Sequence, residues 1–278
     1  NGFMKTLMHH PMHRRFSLWA GIAAGLVSML AALTAMPAHA AGLCSASWVH
    51  DGSRLRLDGN GQTPMIVEFT LHDVNRDVLD GCEIGLHIYA KSGLVALGGR
   101  PIETVQDHKL MVDEAGVVTR IVSVNGRVFA QSEHADLVGT VSTAISGMFL
   151  YGAGLAPEAE MLPGDTYDSS FDFDVVSPRL GISVGHMRAA HAKVDVSERE
   201  VGRPQTMATP AGPQQCRPIR YTRTATLGVL HLGNETIEPE PTVAHVTDWY
   251  CPELGVVARQ EVEQHGQTQV INVVDLKR

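Results

Sequence analysis

The sequence predicts a mainly β fold: an antiparallel sheet, such as a sandwich, with one covering α-helix. Three observations predict it. Turn dipeptides that supply φ > 0 recur between short apolar runs, at Asp51-Gly52, Asp58-Gly59-Asn60-Gly61, Asp80-Gly81, Asn125-Gly126, Gly233-Asn234 and His265-Gly266. The runs between them are rich in Val, Ile, Leu and aromatic residues. One stretch alone leaves the period of two for a helical one.

Ahead of the first turn, Met12-His13-Arg14-Arg15 leads into an apolar run from Phe16 to Ala35 and then Met36-Pro37-Ala38-His39-Ala40. A basic start, an apolar segment and small residues at Ala38 and Ala40 predict a secretory signal peptide over 1–40, cleaved after Ala40. The remainder, 41–278, is read as a single β-rich domain in the periplasm or outside the cell. A membrane anchor competes, because the apolar run approaches the roughly 20 residues that span a bilayer. Gly21, Gly25, Ser28 and Thr34 dilute it, and membrane contact is expected only through the export signal. Cys44 follows closely, but Leu43 stands where a bacterial lipoprotein needs a small residue.

The net charge is −8. Lys5, Arg14 and Arg15 are the only charged residues of the export segment, so the part after it carries −11. That balance argues against nucleic acid and anionic lipid surfaces as partners. About 240 residues suffice to bury roughly 70% of the unfolded surface around one core.

The four cysteines, Cys44, Cys82, Cys216 and Cys251, all follow the export segment. In an oxidising compartment an even count reads as disulfides. Thr209-Pro210-Ala211-Gly212 runs into Cys216 and an alternating strand. Trp249-Tyr250-Cys251 runs into the Pro252-Glu253-Leu254-Gly255 turn. The shared pattern suggests that Cys216 and Cys251 face each other across neighbouring strands. Sequence order allows three connectivities; the expectation pairs Cys44 with Cys82 and Cys216 with Cys251, each within one half. Each loop would contribute roughly 3 to 4 kcal/mol in the chain-entropy model. No C-x-x-C spacing supports a zinc site, and no metal or cofactor is expected.

In chain order, Met65–Leu71 and Glu83–Tyr89 read as strands of the first half. Val117–Val124 reads as a strand that turns at Asn125-Gly126 into Arg127–Ala130. Leu137, Val138, Val141, Ala144, Ile145, Met148 and Phe149 recur at three- and four-residue steps, predicting the covering helix from His134 to Leu150, ended by Gly152-Ala153-Gly154. From Thr166 the alternation resumes, with Tyr167, Ser169, Phe171, Phe173 and Val175 on one face and acids on the other. Residues 180–196 read as strand at their end and helix-like in the middle, and 198–215 as a connection. Strands follow near Ile219–Leu232, Val243–Tyr250, Val256–Glu263 and Gln269–Leu276.

Four patterns invite a chemical reading. Gly181-Ile182-Ser183-Val184-Gly185 matches the G-x-S-x-G elbow of serine hydrolases, with His186, His191 and Asp195 nearby. Pro178 interrupts the incoming strand, and the alternating strands and helices that mount such an elbow are missing. His186 and His191 stand five apart, a spacing that shares a face of neither a helix nor a strand. Asp168, Asp172 and Asp174 line one strand face, where neighbours roughly 7 Å apart are too far for one ion. One strand cannot flank a glycosidic bond from two sides, so a solvated face is the reading. Of Arg217, Arg220 and Arg223 only the first and last share a face, and they are expected to meet carboxylates. Asn234-Glu235-Thr236 forms a glycosylation sequon.

Leu162-Pro163-Gly164, Thr209-Pro210-Ala211-Gly212, Ile219–Tyr221, Trp249-Tyr250 and Pro252-Glu253-Leu254-Gly255-Val256-Val257 follow one another as turn, strand, aromatic pair, turn and return strand. In these the second half, Leu162 to Leu276, resembles a group of exported bacterial proteins of unknown function. The resemblance implies a large, curved antiparallel sheet, the open half-barrel with a covering helix seen in periplasmic lipoprotein carriers, binding an apolar chain between sheet and helix. It brings no catalytic residues. The function expected is therefore a non-enzymatic periplasmic protein that binds an apolar small molecule, a lipid or an envelope protein, by residues the sequence does not name. The alternatives are a serine hydrolase using Ser183 and a structural or assembly component of the envelope.

Overall fold

The computed structural model describes residues 42–278, apart from 62–63, 77–80, 95–99, 114–117, 132–134, 144–159 and 233. The expected signal peptide therefore lies outside the described residues. Seventeen antiparallel strands form one sheet: β1 (Arg54–Asn60), β2 (Met65–Asn75), β3 (Gly81–Leu94), β4 (Arg100–Asp113), β5 (Val118–Ala130), β6 (Asp136–Thr143), β7 (Met161–Leu162), β8 (Asp165–Val176), β9 (Ser183–Val196), β10 (Arg199–Val201), β11 (Gln205–Thr209), β12 (Gly212–Thr226), β13 (Leu230–Leu232), β14 (Glu235–Ile237), β15 (Thr242–Cys251), β16 (Val256–Gln264) and β17 (Gln267–Lys277).

The sheet is a closed barrel, which corrects the expected open half-barrel or sandwich. Twelve strands pair in a ring, β1–β2–β3–β4–β5–β6–β8–β9–β12–β15–β16–β17, and β17 returns to β1 through Leu57 opposite Val273 and Gly59 opposite Ile271. Closure gives every ring strand a partner on both sides. The other strands extend the ring strands: β10 runs on from β9 along β12, and β13 runs on from β12 along β9. β7 pairs with β10, while β11 and β14 close hairpins on β12 and β13.

The covering helix is overturned as well. Asp136–Thr143 is β6, and among the described residues the only helical element is a 3-10 turn at Leu43–Ser45. Leu137 is buried while Val138 is 47% exposed, so both faces of β6 carry apolar residues, and that imitated a helical step. Gly139 permits the strand: a Cβ there would collide with Phe173 and the backbone of Asp172 on β8. His134 and residues 144–150 lie outside the described residues. Asn125-Gly126 is corrected too, because β5 runs through it unbroken and the ladder to β4 shifts register between Asp107 and His108 instead. The turn at His265-Gly266 does form, with φ of 51° and 73° at the two central residues.

Alternation decides what faces in. Leu55 and Leu57 of β1, Val67, Phe69 and Leu71 of β2, and Ile84, Leu86 and Ile88 of β3 are all buried, and so are Val246, Val262 and Ile271 on β15, β16 and β17. At the end where β3 starts and the β15–β16 turn lies, residues 42–53 pack into this core. Leu43, Ala46, Trp48 and Val49 are buried, and the Trp48 indole N–H donates to the Leu254 carbonyl at 2.8 Å. Burying such side chains stabilises by about 1.5–3 kcal/mol each. Two disulfides hold the arrangement. Cys44–Cys82 ties this segment to β3, and Cys216–Cys251 crosses from β12 to β15 beside the Arg217–Tyr250 pair.

Candidate functional site

Twelve strands make a wide ring. An eight-stranded barrel has an interior that side chains just fill, and diameter grows with strand number. The effect shows on the wall made by β5, β6, β8 and β9. Tyr167 of β8 and Val194 of β9 pack against the core, which sets the inward face of both strands. Following that face along β8 gives Ser169, Phe171, Phe173 and Val175, with Leu137, Gly139 and Val141 beside them on β6 and Ala192, Ala189, Met187 and Gly185 on β9. The short side chains Ala130, Ala189 and Ala192 are buried. The long ones, Phe171, Phe173, Val175 and Met187, are half-buried. The Phe171 and Phe173 rings stack with centroids 5.4 Å apart.

Polar groups share this interior. On β12, β15 and β16 a carboxylate is sealed in: the Tyr221 hydroxyl donates to Asp248 Oδ2 at 2.9 Å and the Gln260 amide to Oδ1 at 2.8 Å. A buried carboxylate is tolerable only with such donors. On β4, His108 is 2% exposed and, among the described residues, neither ring nitrogen has a hydrogen-bond partner. Burial pushes its pKa down to about 4, against the weaker pull of Asp107, so the imidazole is neutral near pH 7. Burial also pushes the Tyr250 phenol up to about 12.

The three arginines separate. Arg220 is exposed, and Arg217 is buried with its Nε–H donating to the Gly202 carbonyl at 3.0 Å. Arg223 lies in register with Val196 of β9 and Ala244 of β15, both buried. Thr222 next to it faces out, toward the exposed His245, so Arg223 belongs to the inward face. It is half-buried and, among the described residues, makes no hydrogen bond or ion pair, contrary to the expectation that it meets a carboxylate.

No protein-family model matches the chain, and no curated protein matches it. Among solved structures, a Bacteroides fragilis protein described as exported and as having a YmcC-like fold is 13% identical, with a TM-score of 0.37, over 82% of this chain and 97% of its own. A Parabacteroides distasonis protein described as a lipoprotein is 12% identical, with a TM-score of 0.39, over 82% of this chain and 96% of its own. Overlays this loose leave fold and function to rest on the chain's own geometry.

The G-x-S-x-G stretch forms the β8–β9 hairpin turn, with Gly181 at φ 65°, and not a strand-to-helix elbow. Ser183 Oγ–H has Asp174 Oδ1 and the Gly185 carbonyl as acceptors, each at 3.1 Å. His186 sits between Asp172 and Asp174, at 3.1 and 3.2 Å, and Arg188 reaches Asp172 at 3.8 Å. The serine thus meets a carboxylate where the hydrolase nucleophile meets a histidine. Asp168 and Asp174 are exposed on the outer face of β8, His191 is exposed on β9, and Asp195 pairs with Lys193 at 2.9 Å. Among the described residues no group of three or more His, Cys, Asp or Glu is placed to hold a metal ion. Asn234 is exposed in the β13–β14 turn.

Sequence reasoning named neither His108 nor the Tyr221–Asp248–Gln260 set. The signal was present in part: a histidine and an aspartate stand at inward positions of strongly alternating strands.

Proposed function

We propose that this protein binds an apolar, chain-like ligand inside its barrel, against β5, β6, β8 and β9, in an oxidising compartment outside the cytoplasm, and that it works as a carrier or receptor without catalysis. One observation carries the reading: inward-facing Phe171, Phe173, Val175 and Met187 are half-buried on a strand face whose counterparts across the ring are fully buried. Apolar side chains held half out of a core inside a closed ring are covered when an apolar molecule fills the space. The two disulfides support the compartment. An apolar ligand is preferred to an envelope protein because this apolar wall lies inside the ring.

The test is native purification, organic extraction and mass spectrometry, with displacement of an apolar fluorescent dye as a second readout. The wild type is expected to carry an extractable amphiphile and to bind the dye, and Phe173→Asp to lose both while keeping its near-ultraviolet dichroism. Protein free of extractable ligand that also leaves the dye in solution would sink the reading.

A further inference from the structure

We infer that the ligand carries an anionic head, and that Arg223 holds it while the apolar tail lies along Phe171, Phe173 and Val175. This rests on the ligand-binding reading above and adds the chemical class: a single-chain acidic amphiphile, a carboxylate or phosphate at the end of a hydrocarbon chain.

The argument starts from the cost of an unpaired guanidinium. A charged group withdrawn from bulk water needs a counter-charge or hydrogen-bond acceptors. Arg223 is half-buried on the inward face of β12 between Val196 and Ala244, and the described residues offer it neither. The other buried charged or ionisable groups of this interior are committed or neutral, and Arg199 donates through Nε and Nη2 to the Pro163 carbonyl. Asp248 has both oxygens occupied by Tyr221 and Gln260. Arg217 donates to the Gly202 carbonyl. His108, on β4, is uncharged near neutral pH because of its burial. Among these groups Arg223 is the cation left to face an anion, and its planar fork suits a carboxylate or phosphate.

Position supplies the tail. Around the ring, β12 adjoins β9, and β9 adjoins β8. From Arg223 the same inward face passes Val196 and Val194 and then, on β8, the exposed Asp165 opposite Val196, whose Oδ1 accepts the Thr166 backbone N–H at 2.8 Å, followed by Tyr167, Ser169, Phe171, Phe173 and Val175. The wall therefore begins with a cation and ends in stacked aromatic rings. A purely apolar ligand would leave the guanidinium without a partner, and an inorganic anion would leave the rings uncovered.

A long-chain fatty acid, the alcohol of the same chain length and inorganic phosphate are compared as probes on the full chain, by tryptophan fluorescence and calorimetry. The wild type is expected to bind the acid at least about tenfold more tightly than the alcohol, a difference of one charge-assisted contact. Arg223→Gln should bring the two to parity while alcohol binding holds. Arg223→Lys should retain part of the preference, and Arg220→Gln, on the outer face of the same strand, all of it. Equal affinity for acid and alcohol in the wild type, or a preference that survives Arg223→Gln, would overturn the inference while leaving the apolar site standing. Inorganic phosphate that binds at Arg223 while the fatty acid does not would overturn it as well. Failure of both acid and alcohol to bind would remove the ligand reading itself.

Discussion

Two walls of the same ring use the same strand chemistry and end in different states. On β1 to β4 and β15 to β17 most inward side chains are buried against one another and against Leu43, Trp48 and Val49 of the segment that packs in from the barrel end. On β8 no residue reaches the buried class, although its inward positions hold two phenylalanines, a tyrosine and a valine. Their outer faces are alike: Lys91–Glu103 at 2.8 Å, Lys109–Glu83 at 2.6 Å and His87–Asp107 at 2.6 Å on β3–β4, and His186 between Asp172 and Asp174 on β8–β9. Composition therefore does not separate the walls. What separates them, among the described residues, is how far the inward side chains are covered.

The sharpest way to break this contrast is to cut the same kind of side chain from each wall. Leu110→Ala, at a fully buried inward position of β4, should cost about 2–5 kcal/mol in denaturant unfolding, and Phe173→Ala only about 1 kcal/mol. Equal losses would mean that the two walls are packed alike.

Next in size is a pH effect confined to the packed wall. His108 has a folded pKa of about 4, below the ordinary value of 6.5, so between these values the unfolded chain binds the proton and the folded chain does not. Stability should thus be constant above about pH 7, fall by about 3 kcal/mol as pH drops to 4, and level off below. His108→Leu should flatten that slope in thermal scans, and an unchanged slope would place the titrating group elsewhere. Tyr221→Phe takes one donor from the sealed Asp248 and should cost about 1.5–3 kcal/mol. Smallest of all, Glu103→Gln loosens the Lys91 partner that holds the Glu103 carboxyl below its usual range, and should shift the melting temperature slightly and only at low salt.

Local order was legible in the residues. The β2, β3, β15, β16 and β17 strands announce themselves by alternation, and His265-Gly266 by its turn chemistry. The cross-strand disulfide was visible in the matching turns ahead of Cys216 and after Cys251. Closure was not legible, because Leu57 and Val273 are far apart in sequence and an open sheet would show the same period of two. The β6 strand was hidden because Val138 places an apolar residue on its outer face, and a two-faced strand counts like a helix over eight residues. Arg223 was named with its neighbours yet assigned a carboxylate that the fold does not bring. Its place between Val196 and Ala244 depends on which strands flank β12, and no local pattern contains that. The enzyme motif misled for the same reason: Gly181, Ser183 and Gly185 satisfy a spacing, while the chemistry needs a histidine where the hairpin places Asp174.

The Cys44–Cys82 bond also decides how the molecule bears tension. Strand β1 lies antiparallel to β17 with Arg54 opposite Lys277, so a pull applied at those two residues would peel the seam one rung at a time. Force arriving along the chain ahead of Cys44 is diverted through sulfur into β3, a long strand paired on both sides, before it reaches that seam. Held by its leading end, the barrel resists as a loop clamped in its own wall, and reducing the bond would turn a sturdy mooring into a zipper.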